Sequence, residues 1–95
     1  MEIRKRTITK DMLRHLEGLA YWIADLNYIK ERFGPEEPEL ETCRKTISLI
    51  FDELDRIQTP FSVQNNIICY FEEWRHYKMT STRDFLRSQN VEIID

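Results

Sequence analysis

Leu40, Cys43, Ile47, Ile50, Leu54 and Ile57 recur at intervals of 3, 4, 3, 4 and 3 residues. A strand would scatter such a set over both of its faces, whereas an α-helix gathers it into one stripe. Helix is therefore the regular structure that buries these side chains together. The run covers fewer than three heptads, which suits a bundle seam and is too short for a free-standing coiled coil. The same rhythm appears twice more. Met12, Leu16, Leu19, Ile23, Leu26 and Phe33 follow it with Lys30 interrupting, and Val63, Ile67, Tyr70, Trp74 and Tyr77 follow it with Phe71 widening the face. With only two glycines and three prolines, the chain lacks the turn residues of a β-sandwich or barrel.

Local signals set the expected boundaries. A first helix spans 10–33, with Thr9 as N-cap, Asp11 in the first turn, and Gly34-Pro35 as the stop. A second spans 38–58. Pro38 suits its first position, and Glu36, Glu37, Glu39 and Glu41 complement the positive end of the helix dipole. Thr59-Pro60-Phe61-Ser62 interrupts the chain, and Thr59 or Ser62 is expected to cap a third helix over 63–78. Ser81 and Asp84 approximate a capping box for a short helix over 82–89 that offers Phe85 and Leu86 to the core, with Asn90 closing it. Residues 91–95 and 3–9 are rich in β-branched side chains and suit strands or extended tails. Short links make successive helices antiparallel neighbours. The expected fold is all-α: an up-down-up three-helix bundle with a short fourth helix across it and short strands at the termini. Ninety-five residues give one domain, 1–95, with one main core.

Charge narrows the function classes. The net charge is −3, yet Arg4, Lys5, Arg6, Lys10 and Arg14 crowd into the first fourteen residues. Nucleic-acid binders are usually basic throughout, so a basic arm on an acidic domain makes nucleic acid the second reading. No run approaches the roughly 18 apolar residues of a membrane span, and Thr7-Ile8-Thr9-Lys10-Asp11 stands where a signal peptide would need its apolar stretch. Two cysteines without a C-x-x-C spacing fit the reduced cytoplasm.

Residues with chemical potential do not assemble into a catalytic pattern. Glu73 and His76 have the i, i+3 spacing of helical carboxylate metal sites, but no second pair accompanies them, and a solvated pair is the simpler account. His15 borders an apolar face one turn from Asp11 and reads as a hydrogen-bonded boundary histidine. Cys43 occupies a seam and reads as a small hydrophobe, while Cys69 lies beside its seam. Gly18 and Gly34 build no phosphate loop. Met79-Thr80-Ser81 faintly suggests a helix-turn-helix, whose reading helix would carry only Arg83 and Arg87. No cofactor is expected, and a metal-binding helical bundle through Glu73 and His76, with the second pair supplied by a symmetric dimer, is the third and least favoured reading.

Apolar residues remain after the seams are filled. Tyr21 and Tyr28 lie on one line of the first helix, away from Met12 and Leu19. Leu49 points away from the second seam, and Ile68 and Met79 lie away from the third. The expectation is a non-enzymatic interaction domain, an adaptor, assembly factor or regulatory subunit. It would dock another protein or its own copy, as a homodimer, through Tyr21, Trp22, Tyr28, Ile68 and Met79.

Overall fold

In the computed structural model, which describes residues 6–94, one long helix organises everything else. The elements in order are β1 (Arg6–Thr9), α1 (Lys10–Phe33), α2 (Glu39–Arg56), α3 (Phe61–Phe71), α4 (Trp74–Met79), α5 (Thr82–Ser88) and β2 (Val91–Ile94). Helix accounts for 74% of the described residues, giving a mostly α-helical small domain with a two-stranded parallel sheet. At 1.5 Å per residue, α1 is about 36 Å long, so it runs most of the 43 Å long axis. Every other element packs on it.

The boundaries of α1 are those its local chemistry dictates. Thr9 is extended (φ −89°, ψ 168°), and its hydroxyl accepts the Met12 N–H at 3.2 Å. Gly34, at φ 96°, stops the helix in a conformation that side-chain-bearing residues avoid, and its N–H donates to the Lys30 carbonyl at 3.0 Å. The buried face carries Leu13, Leu16, Leu19, Ala20, Ile23, Ala24 and Ile29. Phe33, read from the sequence as part of that face, is 64% exposed instead, because the helix ends beyond the reach of α2 and α3.

α2 returns along α1, with Ile50 beside Gly18 at one end and Leu40 and Cys43 against Ile29 at the other. Pro38 is its N-cap rather than its first helical residue, and the helix closes at Arg56, two residues earlier than expected, before Gln58 takes a positive φ. Leu40, Cys43 and Leu54 are buried, but Ile47, Ile50 and Ile57 are only half-buried. The seam is thus regular in sequence but not uniformly covered.

Two sequence expectations fail around α3. Neither Thr59 nor Ser62 caps it: Pro60 takes the cap position without a side-chain bond, and the buried Thr59 hydroxyl has no partner. The helix begins at Phe61 and does not run on to residue 78. It ends at Phe71, Glu73 is extended (φ −84°, ψ 101°), and α4 starts afresh at Trp74. Two adjacent acids at the negative end of a helix dipole disfavour continuation there. Val63, Ile67 and Phe71 are buried, and Gln64, also buried, donates to the Thr59 carbonyl at 3.1 Å and to Asp55 at 3.3 Å.

The Ser81 hydroxyl accepts the Asp84 N–H at 3.1 Å to start α5, which buries Phe85 and Leu86, and Asn90 follows it in the left-handed region (φ 63°). The chain then enters β2, which pairs in parallel with β1: Arg6 opposite Val91, Thr7 opposite Glu92, Ile8 opposite Ile93, Thr9 opposite Ile94. A lone two-stranded pair is marginal in water. This one is held because Ile8 and Val91 are buried in the main core with Leu16, Leu54, Ile67, Phe71 and Leu86. A second, smaller cluster, Ile29, Leu40 and Cys43, sits near the α1–α2 turn.

Candidate functional site

Since α1 is the common support, the open surfaces lie in the angles between the helices that lean on it. α2 and α3 both pack on α1 but barely touch each other. The groove between them has a volume of about 460 Å³ and an apolar lining of Ile23 and Leu26 from α1, Ile47 and Phe51 from α2, and Ile68 from α3. Lys30, Arg44 and Glu72 also line it. Apart from Glu72, in the turn after α3, its lining is helical.

The second opening lies between α1 and α4. The turn at Glu72-Glu73 brings Trp74 beside Tyr28, with ring centroids 5.0 Å apart and nearly perpendicular planes, and Tyr77 beside Tyr21 at 5.6 Å. Ala24, Asp25 and Lys78 complete a cleft of about 240 Å³. Glu31 holds the upper end: one carboxylate oxygen accepts the Trp74 indole N–H at 2.7 Å and the other accepts from Arg75 at 2.9 Å. These hydrogen bonds, the indole first and the guanidinium second, hold the Glu31 carboxyl below the usual carboxylate range.

No family model matches this sequence, and searches of curated proteins and of solved structures found nothing similar to it.

The structure does not bring the five expected docking residues onto one face. Tyr21 and Tyr28 line the aromatic cleft, whereas Trp22 packs beside the Ile29–Leu40–Cys43 cluster and stacks edge-on with Tyr21 at 5.4 Å. Ile68 lines the α2/α3 groove, and Met79, at the end of α4, is 79% exposed and lines neither opening. Leu26, Ile47, Trp74 and Tyr77 have seam positions in the sequence pattern but line openings here, and Asp25 and Phe51 belong to no seam. The Glu72-Glu73 pair was the available signal for Trp74 and Tyr77, because it ends one helix and re-aims the next.

The basic cluster is only partly within view. Arg4 and Lys5 lie outside the described residues. Arg6 is turned onto the domain, donating to the Asn66 side-chain oxygen at 2.6 Å and to the Gln89 carbonyl at 2.7 Å. Arg14 lies 3.7 Å from Asp11 on the exposed side of α1, and Lys10 is exposed at its start. Glu73 and His76 separate: the carboxylate lies 3.6 Å from Arg75, while the imidazole stacks on Tyr70 at 4.5 Å with Nδ1 3.2 Å from the Tyr70 carbonyl. Among the described residues, no three or more His, Cys, Asp or Glu side chains gather as a metal site would require. His15 Nδ1 meets the Asp11 carbonyl at 2.8 Å. Cys43 is buried, and that burial, followed by the nearby Asp25 and Glu39 carboxylates, pushes its thiol pKa up, away from nucleophilic use.

Proposed function

We propose that the chain is a non-enzymatic protein-interaction domain that receives an apolar helix of a partner in the groove between α2 and α3. The carrying observation is the half-buried stripe of Leu26, Ile47, Phe51 and Ile68 between two helices that share a floor but do not close on each other. A helix fits such a groove because its own i, i+3, i+4 and i+7 side chains can fill the gaps left by the walls. Phe51 is the expected anchor, since large aromatic side chains near the centre of an interface carry most of its energy. Lys30 and Arg44 on one side and Glu72 on the other would set the orientation of the incoming helix.

This reading keeps the adaptor or regulatory-subunit role in the cytoplasm and allows a second copy of the chain as the partner. A photoreactive amino acid at position 68, introduced in the native cell, tests it. A discrete adduct is expected, lost on Phe51→Asp and absent when the probe sits at Thr7. An adduct of twice the chain mass would make the occupant a second copy. Equal labelling from positions 68 and 7, or an adduct indifferent to Phe51→Asp in a chain that still folds by circular dichroism, would overturn the groove as the docking site.

A further inference from the structure

We propose that the cleft between α1 and α4 is a cation cage that takes the quaternary ammonium of a trimethylated lysine on a partner protein. Two perpendicular ring pairs, Tyr28–Trp74 and Tyr21–Tyr77, stand at its two ends, with the small side chain of Ala24 between them. Aromatic faces are electron-rich, and several rings around one space attract a cation that has little water to lose. Asp25 lines the same space. Among the described residues it has no ion pair, and its hydrogen-bonding neighbour is the Cys43 thiol at 3.9 Å. The cleft thus combines four aromatic rings with a carboxylate that has no ion pair among the described residues.

The chain already shows the attraction. Arg75 lies over the Trp74 ring at 4.6 Å and Lys78 at 5.3 Å. Arg75 is anchored by Glu31, but Lys78 has no acid against it among the described residues, and it lines the cleft on a flexible stem. A primary ammonium is strongly hydrated, so Lys78 is a weak occupant that a methylated ammonium displaces. At about 240 Å³ and open to solvent, the space falls below the roughly 300–1,000 Å³ of sites that enclose whole small ligands. It suits a headgroup on a tether, which commits the occupant to a side chain projecting from a larger molecule. The cleft lies away from the α2/α3 groove and shares no lining residue with it, so it stands or falls separately.

Titration calorimetry with a short Gly/Ser-flanked peptide carrying one trimethyllysine provides the test. The controls are the same peptide with unmodified lysine, the same peptide with a tert-butyl group replacing the trimethylammonium, and free choline. The trimethyllysine peptide is expected to bind about tenfold tighter than the uncharged isostere. Amide resonances of Ala24, Asp25 and Tyr77 should shift with it. Asp25→Asn should shrink the advantage over the isostere, and Lys78→Ala should tighten binding. Equal affinity for the isostere would overturn the cage and leave a plain apolar cleft. Choline binding as tightly as the peptide would overturn the protein-borne source. No binding of the trimethyllysine peptide by either the unaltered chain or Lys78→Ala would overturn the proposal outright.

Discussion

Glu31 joins α1 to α4 with both carboxylate oxygens, and its pKa is depressed in the fold by the two donors it accepts from. A depressed carboxylate contributes stability above its unfolded pKa and loses it as pH falls through the folded one. Thermal melts of the unaltered chain and of Glu31→Gln should therefore differ at pH 7 and converge below about pH 4, near and under the ordinary carboxylate range. The group is exposed, so the difference will be small, but its disappearance in acid is the diagnostic feature. A gap that persists unchanged at low pH would mean that the glutamate acts by packing alone. At this scale the sequence was partly legible. Thr9, Gly34 and Ser81 act where they stand, because caps and stops are settled by neighbours three or four residues away, while α5 closes one residue earlier than expected, with Gln89 as its C-cap and Asn90 in the left-handed turn after it. Glu31 was not legible, since its partners lie more than forty residues along the chain.

Among the elements, α2 shows how a regular pattern can mislead about energy. Leu54 and Ile47 hold equivalent places in its repeat and would be expected to cost the same on truncation. Leu54 is wholly buried in the main core, whereas Ile47 lines an open groove. Leu54→Ala should cost about 2–5 kcal/mol by removing core packing. Ile47→Ala should cost about 1 kcal/mol, because little more than a methylene's worth of area leaves a packed environment. Denaturant melts of the two variants decide it, and equal costs would mean that the groove is closed in solution. The break between α3 and α4 was hidden for a related reason. The intervals from Val63 to Tyr77 run straight through Glu72-Glu73, so periodicity reports one helix where the backbone makes two. Both openings depend on which angles around α1 the other helices choose. A one-dimensional repeat carries the face of each helix but not the gaps between helices.

Across the whole molecule, α1 serves as a spine with neighbours on several sides, rather than as one of three equal members of a closed bundle. No helix among the described residues is long and apolar enough to cross a membrane. The sheet ties the two ends of the described structure together: the Arg6 N–H meets the Asn90 carbonyl at 3.3 Å, and Ile8 and Val91 enter the same core. Ile8→Ala should therefore cost about 2–5 kcal/mol despite its place near the start of the chain. The amides of Val91–Ile94 should lose hydrogen-exchange protection with it, and protection that survives would mean that β2 is held by α5 alone. The parallel pairing also sets an order of events during synthesis. β1 is made before the five helices described here and β2 after them. Until residues 91–94 have been made, the segment 6–9 with its apolar Ile8 has no strand to pair with. Unpaired strand segments are where nascent chains find wrong partners. The sheet is thus the last contact that synthesis makes available, a latch drawn across the five helices.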